Sequence, residues 1–264
     1  MKVILLDIDG VLQPYASKNR FEIDRKALRE RLSEELNIDY TIYDEYDVAA
    51  CYADWDKEAV ERIKKIIKET DAKIVISSDW RSKRLPNKMK DFLKIFNMDQ
   101  YWVGETDDID EEKMKEACKY VKSRENPHWS YRAIEILDYV YKHEEITNYV
   151  AIDDMDISVG LDGHFVKTKN LINDEQAEKC IQILNDTKLE IKRNPYNKEI
   201  LEKCLPSYIE NDLKNLKDGI KNNVSYLDCL INELQGSVNS AFVDGDISEK
   251  QCDYLYEKYI RMEI

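Results

Sequence analysis

Residues 3–12 read Val3-Ile4-Leu5-Leu6-Asp7-Ile8-Asp9-Gly10-Val11-Leu12, and this stretch decides the fold. Its first four residues are an uninterrupted apolar run, rich in strand formers and too short for a helix. Such a run predicts a buried strand. Asp7 and Asp9 follow where that strand ends, and Gly10 comes directly after them. Buried charge is costly without partners, so these carboxylates need a cation or several donors. In open α/β sheets ligands bind outside the carboxyl ends of the strands. That position puts Asp7 and Asp9 in a site rather than in a core. The plainer alternative makes Asp9-Gly10 a turn and Asp7 a turn or cap residue, and these residues alone leave it open.

The same pattern of an apolar run closing on polar residues recurs downstream. Ile74-Val75-Ile76 closes on Ser77 and Ser78, and Tyr149-Val150-Ala151-Ile152 closes on Asp153-Asp154. YWVGET (101–106) reads as a further strand ending at Gly104, and HFVKTK (164–169) as a short one. Helical periods fall between them. Asp24 caps RKALRERLSEEL, and Asp56 opens DKEAVERIKKIIKET with Val60, Ile63, Ile66 and Ile67 on one face. Asn87 is the expected cap of a short amphipathic helix, and Ser130 a candidate cap of one that carries Arg132, Ile134, Ile136, Leu137 and Val140. Asn173 or Asp174 starts DEQAEKCIQILN. Strand, helix, strand predicts parallel units with right-handed crossovers, so the strand ends share one edge. Ser77 and Ser78 then lie near Asp7 and Asp9. Residues 37–55 show no clear period.

DIDGVL, at residues 7–12, resembles the first motif of the haloacid dehalogenase (HAD) superfamily. Ser77 fits its second motif and Asp153-Asp154 its fourth. The third motif is a basic residue, usually Lys, at a helix start; Arg132 is the best match here. The string Ser77-Ser78-Asp79-Trp80-Arg81 resembles the subset associated with Swiss-army-knife RNA repair proteins. The resemblance implies an α/β, Rossmann-like domain over 1–189, with a flap or small cap at 13–55 and a helical insertion at 107–128. A helical extension over 190–264 lies outside it.

The resemblance also implies roles. Asp7 is the nucleophile and Asp9 the general acid/base, a residue that phosphatases of the superfamily have and dehalogenases lack. Mg²⁺ is the implied cofactor, held by Asp7, the Asp9 backbone carbonyl, and Asp153 with Asp154. Ser77 and Arg132 hold phosphate oxygens, and Gly10, Ser78, Trp80 and Arg81 shape the substrate end. Tyr15, Tyr40, Tyr43, Tyr46 and Trp55 are pocket candidates from the flap, with packing of their own segment the simpler reading for each. The implied activity is a Mg²⁺-dependent phosphatase forming an aspartyl-phosphate on a small ester, with a nucleotide as one candidate. The alternatives are a catalytically weak binding or regulatory module and a nucleic-acid-end phosphatase.

Composition narrows the choice. The chain has 264 residues, 43% of them hydrophobic, with 17 Tyr and 4 Trp, so a sizeable core forms and global disorder is excluded. The net charge of −14 repels phosphodiester backbones and disfavours a nucleic-acid polymer as partner. A small phosphate ester stays compatible, because a bound Mg²⁺ dominates its local field. Six scattered cysteines without a CxxC pair, and 3 His, argue against structural zinc and for reduced thiols. A first strand at residue 3 leaves no room for a signal peptide, which with the thiols gives a cytoplasmic expectation. No apolar run approaches the ~18 residues that span a bilayer. Leu213, Leu216, Ile220, Leu227, Leu230, Ile231 and Leu234 suggest helices in the extension, and Glu249 to Arg261 a last one. Such a helical hairpin packs on the core, dimerises, or takes a protein partner. Asp244-Gly245-Asp246 lacks the later ligands of an EF-hand.

Overall fold

The apolar run becomes strand β1 (Lys2–Leu6), where Val3, Ile4, Leu5 and Leu6 are all fully buried. Side chains alternate between the two faces of a strand, so burial of all four means both faces of the sheet are covered. The computed structural model describes residues 1–108, 131–158, 160–161, 163–191, 201–202 and 205–261. The expected 107–128 insertion lies almost wholly outside the described residues.

Two compact units divide the chain. The first comprises Met1–Asp107 with Asp138–Arg193, the second Asp108–Leu137 with Asn194–Ile264. The first holds a five-stranded sheet of β1, β2 (Lys73–Ile76), β3 (Trp102–Glu105), β4 (Asn148–Asp153) and β5 (Phe165–Lys167). All pairings are parallel, and the order is β3-β2-β1-β4-β5. The chain builds outward from β1 to β3, then crosses back to lay β4 on the other side of β1. The switch point therefore falls between β1 and β4, where ligands bind in sheets of this kind.

Helices flank the sheet. α1 (Arg25–Leu36) and α3 (Lys57–Thr70) start behind Asp24 and Asp56, whose side chains accept from Ala27 N–H at 3.0 Å and Ala59 N–H at 2.8 Å. Between them lies α2 (Glu45–Asp54), inside the stretch expected to lack a period. Asp44 caps it, and Val48, Ala49, Ala50 and Cys51 are fully buried in the core. Tyr and Asp residues interrupt the apolar stripe of this helix, so its period is hidden in the sequence. α4 (Lys88–Lys94) follows Asn87, which makes no side-chain cap bond, contrary to expectation. α5 (Tyr131–Lys142) leads towards β4, and α6 (Asp174–Asn185) follows β5 behind a reciprocal cap of Asn173 and Gln176. Arg62 of α3 reaches Asp174 of α6 at 2.7 Å, and Lys65 pairs with Glu178.

The second unit is helical. α7 (Ser207–Lys221) packs on α8 (Leu227–Asp244), and α9 (Glu249–Leu255) runs into a π-turn at Tyr256–Ile260. Leu213, Leu216, Leu234 and Val238 belong to its buried core. The expected last helix is thus two segments. Among the described residues no helix is long and apolar enough to cross a membrane.

Candidate active site at the carboxyl edge of the sheet

Each parallel pairing continues one residue past its strand. Ser77 N–H donates to Leu6 C=O at 2.9 Å, and Asp7 N–H donates to Ile152 C=O at 3.0 Å. Thr106 N–H reaches Ile76 C=O, and Thr168 N–H reaches Asp153 C=O, both at 2.9 Å. Backbone bonding thus sets Thr106, Ser77, Asp7, Asp153 and Thr168 along one edge. Asp7, Ser77, Ser78 and Asp153 are buried there, and Asp9 is exposed.

The chain then turns sharply. Leu12 and Gln13 both donate backbone N–H to Ile8 C=O, and Gly10 N–H closes on Gln13 C=O at 2.8 Å. Gly10 has φ +69°, which disfavours a side chain. A Cβ there would stand 2.6 Å from the Asp154 Cβ and 2.7 Å from the Tyr15 hydroxyl. Thr168 Oγ1 donates to Gly10 C=O at 2.6 Å and ties the turn to the far strand. A glycine is required because the loop after β4 presses against it.

Asp7, Asp153 and Asp154 each present a carboxylate oxygen within 4.8 Å of the others. Three like charges this close repel strongly, and a divalent cation relieves that repulsion. The donors are hard oxygens, which suit Mg²⁺. Oxygens of an octahedron with bonds of about 2.1 Å stand roughly 3–4 Å apart, so modest side-chain rotation closes the gap. The residues therefore fit the ion. Asp153 Oδ1 also accepts from Met155 N–H at 2.8 Å, and Asp154 accepts from the Tyr15 hydroxyl. That hydrogen bond, with burial and the neighbouring carboxylates, pushes the Tyr15 phenol up to about 12.

Asp9 stands outside this trio of side chains. Gln13 Nε2 donates to its Oδ1 at 2.8 Å, and Trp80 Nε1 donates to its Oδ2 at 2.9 Å. Trp80 is wedged edge-on against Trp55 and Phe92, with centroids 5.9 and 6.3 Å away. Arg81 Nε donates to Ser78 C=O and its Nη1 to Thr106 C=O, both at 2.7 Å, lacing the ends of β2 and β3. Glu105, at the end of β3, is half-buried. Burial pushes its carboxyl up to about 7, against the opposing pull of Arg81 and Lys88.

These contacts sort the residues singled out in the sequence. Asp7, Asp153 and Asp154 come together, with Gly10 against Asp154 and Ser77 on the same sheet edge, Ser78 bonds to Arg81, and Trp80 reaches Asp9. Arg132 belongs to the second unit, buried with its Nε 3.9 Å from Glu135 Oε2. Of the flap aromatics, Tyr40, Tyr43 and Trp55 are buried in the core, in line with the simpler packing reading and against the pocket alternative. Tyr46 lies under Arg25, 4.2 Å from ring centroid to guanidinium carbon, and only Tyr15 of the five touches the acidic trio. Gln13 and Thr168 were missed. Both lie in polar stretches without period, and only the turn and the neighbouring strand give them meaning.

The model of the HAD domain in Swiss Army Knife RNA repair proteins matches residues 3–175, about two thirds of the chain. The chain belongs to this family. The matched range contains Asp7, Ser77, Asp153 and Thr168, the residues that line the edge of the sheet. This HAD domain is of the phosphatase-type hydrolase kind, and HAD domains generally use Mg²⁺. No curated protein and no solved structure matches the chain.

Proposed function

We propose that the protein is a Mg²⁺-dependent phosphatase acting on a small phosphate ester through a phosphorylated Asp7. The observation that carries this reading is the meeting of Asp7, Asp153 and Asp154 at the switch point, with Asp9 held apart from them. A bound Mg²⁺ would supply charge neutralisation for these acids and for the phosphoryl oxygens. An Asp7 carboxylate oxygen attacks phosphorus as the bond to the leaving oxygen breaks. The leaving oxygen keeps the bonding pair and takes a proton from Asp9. Asp9, now a carboxylate, takes a proton from water as the water oxygen attacks phosphorus. The Asp7–phosphorus bond then breaks, which returns the carboxylate and releases inorganic phosphate. Splitting one displacement into two lowers each barrier, and a positioned acid/base contributes about 10²–10⁴-fold. Ser77 offers its hydroxyl to phosphoryl oxygens, and Arg132 is the candidate cation of the third motif.

The test is turnover of an aryl phosphate with and without Mg²⁺. Asp7→Asn is expected to abolish it while circular dichroism stays unchanged. Undiminished Mg²⁺-dependent hydrolysis by that variant would refute the reading. Arg132→Ala tests the third-motif role, with a fall in kcat expected.

A phosphorylated RNA end is the second reading for the ester, and the family description supports it equally well. The acidic balance of the chain favours the small ester. A panel of mononucleotides and end-phosphorylated oligoribonucleotides separates the two by kcat/KM.

A further inference from the structure

We infer that Trp80 and Gln13 act together as a two-point clamp that fixes the carboxylate plane of Asp9 for proton transfer to the leaving oxygen. This role rests on the phosphatase reading above and names two positioning residues for it.

An exposed aspartate on a turn ordinarily samples several staggered rotamers. Asp9 does not have that freedom. Each of its oxygens receives a separate N–H, from Gln13 at 2.8 Å and from Trp80 at 2.9 Å, both at ordinary hydrogen-bond length. Two donors on opposite oxygens fix both the rotamer and the rotation of the carboxylate plane. Each oxygen keeps a second lone-pair direction, so one position stays available for the transferred proton.

Both donors are themselves immobilised. Gln13 is buried and belongs to the same turn, with its backbone N–H on Ile8 and its C=O on Gly10. Trp80 comes from the other side of the site, after β2. Trp55 and Phe92 pack on it edge-on, and Trp55 in turn stacks on Phe96 at 5.4 Å with planes 7° apart. Lys88 Nζ stands 5.6 Å from the Trp80 ring centroid and is anchored by Asp47 at 2.8 Å. A cation at that range polarises the indole and makes its N–H a stronger donor. A purely structural Trp in this cluster has no need to aim its N–H at an exposed carboxylate. The same two bonds hold Asp9 away from the acidic trio, which keeps the proton carrier and the metal-site acids separate.

The clamp matters in proportion to the need for protonation. A nitrophenolate departs with little help, whereas an alkoxide needs its proton as the bond breaks. Trp80→Phe keeps the aromatic packing and removes the donor; Gln13→Leu keeps the volume and removes the other. Each is expected to lower kcat on an alkyl phosphate by about tenfold or more, within the range of acid catalysis. On p-nitrophenyl phosphate the loss should stay several times smaller, with KM little changed on both. Equal losses on the two esters, or an effect confined to KM, would overturn the clamp. A second readout is independent of turnover. In a ¹H–¹⁵N spectrum Trp80→Phe identifies the Trp80 indole N–H resonance among those of the 4 Trp residues. Asp9→Ala should move that resonance more than the other three. A resonance that stays in place refutes the contact itself. A parent protein that turns over no phosphate refutes the phosphatase reading, and the clamp's role with it, even where the resonance moves.

Discussion

Carboxylates are handled in opposite ways in the two units. In the second unit Glu202 accepts from Lys217 Nζ at 2.5 Å, Lys258 Nζ at 2.7 Å, and the hydroxyls of Tyr254 and Tyr259 at 2.8 and 2.7 Å. Burial alone would raise its pKa, but these four donors outweigh burial and hold it down at about 2. Here the chain supplies its own neutralising charge. In the first unit three carboxylates gather within 4.8 Å of one another, and among their contacts are the Met155 N–H on Asp153 and the Tyr15 hydroxyl on Asp154. A satisfied ion cluster holds a fold together. A concentration of like charge stores an unfavourable interaction that an incoming cation releases. The contrast is between one carboxylate matched by two lysines and three carboxylates gathered on one another.

The largest effect expected from this contrast is on metal binding. Adding Mg²⁺ at about a hundred times its Kd should stabilise the protein by about 2.7 kcal/mol, read as a rise in Tm. Asp153→Asn should erase most of that rise, and a rise that survives the substitution would break the comparison. Next comes Gly10→Ala. A left-handed φ and a Cβ 2.6 Å from Asp154 Cβ predict a loss of about 2 kcal/mol or more with loss of turnover. Normal stability in this variant would mean that the Asp154 loop is looser than its contact with Gly10 requires.

Smaller effects follow from pH. The folded pKa of Glu202 lies below its ordinary value. Its contribution is therefore present above about pH 4.5 and is lost as pH falls toward about 2. Glu202→Gln should flatten the acid limb of a pH–stability curve by on the order of 1–2 kcal/mol. Glu105 has the opposite sign, because its folded pKa is raised. Stability is favoured below the ordinary carboxyl range and declines as pH climbs to about 7. Glu105→Gln should therefore raise Tm slightly at pH 8 and leave it unchanged at pH 4, by roughly 1 kcal/mol at most. A fall in Tm at pH 8 instead would place the Glu105 carboxylate among stabilising partners.

Much of this architecture is legible in the chain because its signals are local. Asp24 and Asp56 announce α1 and α3 one residue ahead, and the runs at Val3, Ile74 and Tyr149 announce β1, β2 and β4. α2 escaped because four of its ten residues are Tyr or Asp, and burial against the rest of the unit overrides its weak period. Tyr40, Tyr43 and Trp55 left two readings open, with packing the simpler. An aromatic side chain suits a pocket and a core equally, and only the packing partners decide between them. Gln13 carries no signal of its own, since its contact is with the far side of a turn.

The sequence by itself determined that buried strands end in Asp7, Ser77 and Asp153, because apolar runs and the residues that stop them are read from neighbours in the chain. Tertiary structure alone decided which of the 54 acidic residues share a site and which stand apart. Strand order is not written in any one segment: β4 lies beside β1 because the sheet reverses there, and that reversal brings Asp153 and Asp154 to Asp7. Charge repulsion and a shared cation act through space over a few ångströms. Trp80 and Asp9 are therefore partners across 71 positions of chain that no local pattern connects.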